Sequence, residues 1–356
     1  MNRAIERLER ISNVFGVSGD ESEVIKVLLE YIKPLADSID AHPIGNLVAT
    51  VNGSDKDAPS LLLVAHMDEI GLMVRHITKG GFLHFLPVGG WDVRILPAQP
   101  VTVHSSSGKM LEGVIGSKPP HIQKPDEIKK VIPMEDLFID IGASTREEAE
   151  NLGVRIGDRI ILSQKFSLLG ADSRVMRGKA LDDRIGCAVL VEVLEQLKER
   201  GGPTGSIYAG FSVQEEVGLR GAGPLAFQID PTCSLAIEGT VAAKTPGTKK
   251  GMSPTVMGAG PAITIMDSGL LADLRIVRKL EDLAKAHEIP YQIKRPVSRG
   301  RTDASQVLLT RGGIPSGVLS IPCRYIHSPN QLASIDDFMN EIRLAVEFCY
   351  TFHEIF

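Results

Sequence analysis

Four short segments of continuous apolar sequence constrain the fold of this chain more than any other feature. The first, residues 61–65, reads Leu-Leu-Leu-Val-Ala, without the polar and apolar alternation of a strand that has one face in water. The same pattern returns in residues 206–213, 233–237 and 314–321. Strands buried on both faces are typical of parallel sheets covered by helices, so we expect such a sheet.

Segments with apolar residues at helical spacing lie around these strands. Two open the chain, at residues 2–15 and 20–35, and Ser18 or Asp20 is available to cap the second. The others are residues 183–200, 270–287 and 335–355. The alternation predicts an α/β fold with a mostly parallel mixed sheet flanked by helices.

Residues 74–164 have a different pattern. Short alternating stretches, broken by glycine, proline and serine, predict a small β-rich unit with one short helix at residues 145–152. Because α/β segments lie on both sides, we interpret this unit as an insertion. The predicted catalytic domain is therefore residues 1–73 and 165–356.

Composition excludes several classes of partner. The 356 residues carry 39 Lys and Arg against 44 Asp and Glu, a net charge of −5, and only 5% aromatic residues, so no nucleic acid partner is expected. The four cysteines have no C-x-x-C spacing and lie in apolar stretches, which indicates buried thiols. No apolar run has membrane-spanning length and the first residues lack a signal-peptide pattern, so we expect a cytoplasmic protein without membrane contact.

Two motifs combine acidic residues with a strand end or a helix start. His66 and Asp68 follow the first apolar segment and point the same way, so the carboxylate could orient a metal-binding imidazole. A structural histidine is the alternative. Asp182 and Asp183 precede a helical pattern; one carboxylate would serve as an N-cap, but a second beside it is costly without a cation or donors.

Similar groups follow the other apolar segments. Glu215 and Glu216 come after the second, Glu238 directly after the third, and His327 after the fourth and a short turn with proline. Open α/β sheets place their sites at the carboxyl ends of strands, so we expect these groups to converge. Two imidazoles with several carboxylates suit a pair of divalent ions per subunit, with Zn²⁺ the first choice and Co²⁺ or Mn²⁺ the alternatives.

The chain resembles the di-metal aminopeptidases of peptidase family forty-two, which include glutamyl, deblocking and tetrahedral (TET-type) enzymes. The resemblance spans nearly the whole chain. It rests on residues 13–19, 65–71, 116–121, 180–186, 213–218, 302–304 and 324–329, in the family's order. It implies a zinc-exopeptidase-like fold with a barrel-like insertion, and a metal-dependent enzyme that hydrolyses N-terminal residues from peptides with a metal-bridged water.

The resemblance also implies a ligand set. Asp182 would bridge two ions, with His66 and Glu238 completing one site and Glu216 and His327 completing the other.

Further roles follow from the same resemblance. Glu215 would be the general base, Asp68 would orient the metal-binding histidine, and the peptide bond between Asp182 and Asp183 would be cis.

Two positions depart from the family's pattern. Glu238 stands where the family usually has Asp; it is a competent ligand, but its length bears on metal preference and on the room for the substrate's amino group. Arg301 stands where the family often has Gly, and would either favour an acidic substrate side chain or be an ordinary surface arginine.

The resemblance further implies that residues 74–164 pair subunits, and that dimers assemble into a hollow tetrahedral dodecamer. Two alternatives to the aminopeptidase remain open. One is another di-metal amide hydrolase, a deacylase or carboxypeptidase, because the ligands fix the reaction and not the substrate end. The other is a non-catalytic peptide-binding or assembly protein.

Overall fold

The helices and strands form one large sheet covered by helices and a separate small barrel. A computed structural model describes residues 1–249 and 251–356. The helices are α1 (Asn2–Asn13), α2 (Ser22–Ile32), α3 (Arg146–Asn151), α4 (Leu181–Arg200), α5 (Ala222–Ile229), α6 (Leu274–Ala286), α7 (Ala304–Leu308) and α8 (Ile335–Thr351). The sheet strands are β1 (Ser38–Ala41), β2 (Leu47–Val51), β3 (Leu61–His66), β10 (Ser167–Leu169), β11 (Val175–Gly178), β12 (Ile207–Ser212), β13 (Cys233–Val241), β14 (Ala262–Thr264), β15 (Gln292–Lys294), β16 (Ser316–Arg324) and β17 (Gln331–Ser334). The barrel strands are β4 (Gly71–Ile77), β5 (Leu83–Val88), β6 (Pro100–His104), β7 (Met110–Gly116), β8 (Phe138–Asp140) and β9 (Arg159–Leu162).

The large sheet has its parallel strands at its centre. Its order is β1-β2-β12-β3-β13-β16-β17-β11-β10, and β14 pairs with β16 and with β15. Strands β12, β3, β13 and β16 lie side by side and form a parallel group. The strands that flank this group, β2 and β17, pair with it antiparallel. The predicted α/β class is confirmed. Parallel pairing is found within this central group and between β14 and β15, whereas the other strand pairs of the sheet are antiparallel, so the sheet is less parallel than expected.

The core of the large unit lies on both faces of the central strands. All six residues of β3 are buried, as the uniform apolarity of the segment predicts. Helix α4 packs on β3 and β13 with α1 and α8 on its other side, and it is buried around most of its circumference. The free thiols of all four cysteines are buried, as expected.

The inserted unit is a closed barrel with its own core. Its strand order is β4-β5-β8-β7-β6-β9, closed by pairing between β9 and β4, which confirms the expected barrel-like unit. Residues such as Leu72, Phe85, Val103 and Ile139 fill its interior. Strand β4 begins at Gly71, three residues before the boundary placed at residue 74. Only four residues separate the end of β3 from this first strand of the barrel.

Local predictions fail mainly at strand ends and caps. Strand β13 continues through Glu238 to Val241 and β16 continues to Arg324, so both are longer than their apolar segments. Neither Ser18 nor Asp20 caps α2, whose N-cap residue is Glu21. Within the residues that the structure covers, no helix has both the length and the apolar character to cross a membrane.

Candidate metal centre

The candidate site residues come together at the carboxyl end of the central parallel strands. His66 is the last residue of β3, and Glu215 and Glu216 follow β12. Glu238 lies inside β13, and His327 lies three residues after β16. Because these four strands are neighbours and run parallel, their carboxyl ends deliver all of these side chains to one edge.

Asp182 lies between the two histidines. Its Oδ1 atom is 3.4 Å from Nε2 of His66, and its Oδ2 atom is 3.5 Å from Nε2 of His327. One carboxylate therefore faces both imidazoles, each through a different oxygen.

The other acids complete groups around these histidines. Oε2 of Glu216 is 3.3 Å from Nε2 of His327, while Oε2 atoms of Glu215 and Glu238 are 3.8 and 3.9 Å from Nε2 of His66. Three groups have potential ligand atoms within 4.8 Å of one another. They are His66–Asp182–Glu238, Asp182–Glu216–His327 and His66–Glu215–Glu216.

Buried negative charge makes this edge a fit for cations. Burial raises the pKa values of Glu215 and Glu238 well above the usual range and raises that of Glu216 to about 8. Burial acts against a positive charge on His327, but the contact with Asp182 and the charge of Glu216 outweigh it and raise its pKa to about 9. Carboxylates crowded in this way are stable only when protons or metal ions supply positive charge, and imidazole with carboxylate is a donor set for divalent ions such as Zn²⁺ or Mn²⁺.

The start of α4 is shaped around the acidic pair. Asp182 and Asp183 have non-helical backbone angles, and the peptide bond between them is cis, as the resemblance implies. Asp183 points away from the cluster: its carboxylate accepts hydrogen bonds from the backbone N–H groups of His66 (3.3 Å) and Gly186 (3.1 Å). The first aspartate therefore faces the histidines while the second ties α4 to the end of β3.

Asp68 organises the loop that carries the two glutamates. Its carboxylate accepts from the backbone N–H groups of Glu215 (2.9 Å) and Glu216 (3.2 Å) and from the hydroxyl of Ser18 (2.5 Å). Nδ1 of His66 lies 3.4 Å from the Asp68 carboxylate and 3.1 Å from the Asp68 carbonyl oxygen. Asp68 thus contacts the histidine and also fixes the backbone of both acids.

Sequence reasoning missed a buried cationic anchor behind the site. The guanidinium of Arg184 is completely buried and donates to the carbonyl oxygens of Ile11, Gly16 and Met67. It also pairs with Glu69 at 3.2 Å. These bonds attach the N-terminal segment and the turn after β3 to α4. Arg184 lies in the segment 180–186, so the resemblance marks its position but not these contacts.

Two further supporting residues were also missed. Gln331 accepts from the backbone N–H of Asp182 at 2.8 Å, and no motif marks it. The backbone N–H of Asp303 lies 3.5 Å from Oε1 of Glu238, and the carboxylate of Asp303 accepts a hydrogen bond from the hydroxyl of Ser212. Asp303 lies in the segment 302–304, so the resemblance marks its position but not these contacts.

Glu21 supports the same loop as Asp68. Its Oε1 atom accepts from the backbone N–H groups of Gly19 (2.8 Å) and Gln214 (3.2 Å), and Gln214 has a positive φ of 56°. Burial raises the pKa of Glu21 to about 7, and the charge of Asp68 acts in the same direction. Carboxylates therefore hold three consecutive backbone amides, from 214 to 216.

Comparison with known proteins places this chain in one family. Residues 45–344 match the family model described as M42 glutamyl aminopeptidase. Lysyl aminopeptidase of Pyrococcus furiosus is 37% identical over 343 residues, which is 96% of this chain and 95% of the relative. Glutamyl aminopeptidase of Lactococcus lactis subsp. cremoris is 30% identical over 335 residues, 94% and 92% of the two chains.

Solved structures agree with this placement. A TET aminopeptidase from the marine sediment archaeon Thaumarchaeota archaeon SCGC AB-539-E09 superposes with a TM-score of 0.93 at 39% identity, over 98% of this chain and 96% of the other. Pyrococcus horikoshii TET1 peptidase, which can assemble into a tetrahedron or a large octahedral shell, gives a TM-score of 0.86 at 33% identity, over 98% and 99%.

The buried state of Glu21 leads to a prediction about stability and pH. Its pKa in the folded chain, about 7, lies above the ordinary value of 4.5, so between these values the folded state holds a proton that the unfolded state has lost. The free energy of unfolding therefore falls as the pH rises from 4.5 to 7, by about 3 kcal/mol from this group. Glu21→Gln removes the penalty and is expected to stabilise the protein at pH 8 and to change little at pH 4.5, as measured by urea unfolding.

The control for this experiment is Glu9→Gln, which replaces an exposed glutamate on α1. It should have a small and equal effect at both pH values. A Glu21→Gln protein that is less stable than wild type at pH 8 would contradict the assignment of Glu21 as a destabilising buried acid.

Proposed function

The chain belongs to the M42 glutamyl aminopeptidase family, and from this premise we propose that the metal centre cleaves N-terminal residues from peptides with Glu215 as the general base. The observation that carries the proposal is the position of Asp182 between His66 and His327. A carboxylate that faces one imidazole with each oxygen is suited to bridge two cations.

The proposed ligand sets divide the cluster at Asp182. His66 and Glu238 would hold one ion with Asp182, and Glu216 and His327 would hold the other. Zn²⁺ is the ion proposed first, with Co²⁺ or Mn²⁺ as alternatives. Glu215 is left free of metal in this division, although it also lies in a group with His66 and Glu216.

The chemistry then divides between the cations and the chain. When bound, a pair of divalent ions polarises the scissile carbonyl and lowers the pKa of the attacking water. Glu215 takes the proton from that water and delivers it to the nitrogen of the leaving amine. Asp68 keeps the Glu215 backbone in place, and a pocket of about 690 Å³ lined by the same ligands receives the substrate.

The role of Glu215 is tested by Glu215→Gln. The amide keeps the size of the side chain but cannot accept the proton, so we expect kcat to fall by about 10²- to 10⁴-fold. Metal content, measured by elemental analysis after dialysis against a fixed concentration of Zn²⁺, should stay at the wild-type value. Near-normal kcat in a metal-loaded variant would remove Glu215 as the base.

The contrasting variant is His327→Ala. His327 is a proposed ligand, so its removal should lower the metal content by one ion per subunit in the same dialysis. Two ions retained as tightly as in wild type would remove His327 from the ligand set. The two variants together separate loss of proton transfer from loss of metal.

We further propose that residues 74–164 form an assembly domain, with dimers as the unit of a tetrahedral dodecamer. Apolar side chains on the outside of the barrel support this, since Leu86, Met110 and Val114 are each more than 40% exposed. The assembly of the related Pyrococcus horikoshii peptidase into a tetrahedron supports the same proposal. Such a shell would admit unfolded peptides and exclude folded proteins.

Light scattering tests the assembly. Twelve copies of the 38.5-kDa chain predict a particle of about 460 kDa. Val114→Asp places a charge on the exposed barrel surface and should reduce the particle size. A wild-type protein that is a stable, fully active monomer would contradict the proposal, and equal cleavage rates on folded proteins and short peptides would contradict the enclosed cavity.

A further inference from the structure

A buried lysine lines the same pocket as the metal ligands. Lys294 is the last residue of β15, and only 8% of its surface is exposed. Across residues 1–249 and 251–356, its ammonium group has no hydrogen-bond partner and no carboxylate oxygen within 4.0 Å. Its Nζ atom is not sealed off, because Lys294 lines the pocket and Nζ is not one of the fully enclosed polar atoms without a partner. A largely buried cation that makes no ion pair with the chain is stabilised by an anionic group that enters the pocket from outside.

Nearby acids influence Lys294 from a distance without contacting it. Burial lowers the pKa of Lys294, and the charges of Asp267, Glu238 and Asp182 oppose that effect, with Asp267 the strongest of the three. The Oδ1 atom of Asp267 is already bonded to the backbone N–H groups of Gly269 and Leu270. These acids favour the ammonium form, and Lys294 lines a pocket of about 690 Å³ that can hold a bound group.

Two arginines add to the positive charge of this pocket. Arg299 and Arg301 line it as well, and both are exposed. With Lys294 they give three cationic side chains against one acid, Asp267, among the lining residues that are not at the metal centre. The metal-binding acids line the same pocket, and the scissile bond and the amino group of a substrate would be placed beside them.

Family membership leaves the charge of the substrate side chain undecided, because the relatives include both a lysyl and a glutamyl aminopeptidase. We propose that Lys294 pairs with the side-chain carboxylate of the substrate's N-terminal residue, so that this chain prefers peptides that begin with Glu or Asp. This inference rests on the proposed aminopeptidase activity. Lys294 is assigned as a specificity-determining residue, and Arg301 supplies charge at the mouth of the pocket.

The test compares two substrates that differ only in charge, the p-nitroanilides of L-glutamate and L-glutamine. A hydrogen bond to a charged group changes binding by about 10- to 100-fold, so the wild-type ratio of kcat/KM for Glu over Gln should exceed about 10. Lys294→Met keeps the length of the side chain without its charge and should lower that ratio by about 10-fold or more. Lys294→Arg should retain the preference for Glu.

The matched control is Lys285→Met, the same substitution at an exposed lysine of α6, which should leave the ratio at its wild-type value. A wild-type ratio at or below one overturns the inference, and so does a ratio that Lys294→Met leaves unchanged. If Lys294→Met does not fold, the wild-type ratio decides alone.

The same assay distinguishes failure of the proposed preference for Glu or Asp from failure of the proposed aminopeptidase activity. Turnover of leucyl or lysyl p-nitroanilide in preference to the glutamyl compound overturns the specificity and leaves the aminopeptidase activity intact. Preference for the lysyl compound would assign recognition to Asp267 instead. No turnover of any aminoacyl p-nitroanilide by the metal-loaded enzyme would overturn the proposed function itself.

Discussion

The contact of Asp182 with both histidines is the feature around which the rest of the site is arranged. One imidazole lies at the end of β3 and the other in the turn after β16, and these two strands are separated in the sheet by β13. A single carboxylate reaches both because the start of α4 is bent away from helical geometry at Asp182 and Asp183. Gln331 and the end of β3 fix that bend through hydrogen bonds to the backbone and side chain of the acidic pair.

Concentrating so much negative charge at one buried edge requires support from outside the ligand set. The backbone amides of residues 214–216 are bonded by carboxylates of Glu21 and Asp68, and Arg184 fastens the N-terminal segment behind them. Lys179 pairs with Glu69 at 2.7 Å in the same anchor. These contacts hold the acids in place against their mutual repulsion, so that a cation meets a preformed site.

Buried strands and the site residues at their ends could be predicted wherever a short stretch of sequence determines them. The apolar run before His66 predicts a buried strand with a site at its end, and β3 has both. The sequence interpretation placed Glu238 directly after its strand, and this was wrong. An acid that follows an apolar run suggests the end of a strand, but β13 continues past Glu238 because it pairs with β16 as far as Val241. The barrel order and the polar edge strands depend on long-range pairing, which no short segment reveals. Gln331 carries no motif, and the buried charge of Lys294 becomes evident only when the pocket around it is formed.

Anomalous diffraction from crystals of the Zn²⁺-loaded protein, measured at the zinc absorption edge, tests the bridging role of Asp182 most directly. We expect two peaks per subunit about 3.5–4 Å apart, the spacing of two-metal hydrolytic sites, with one oxygen of Asp182 directed at each peak. His66 and Glu238 should lie at one peak, and Glu216 and His327 at the other. A single peak, or two peaks that do not share Asp182, would contradict the bridging role of Asp182.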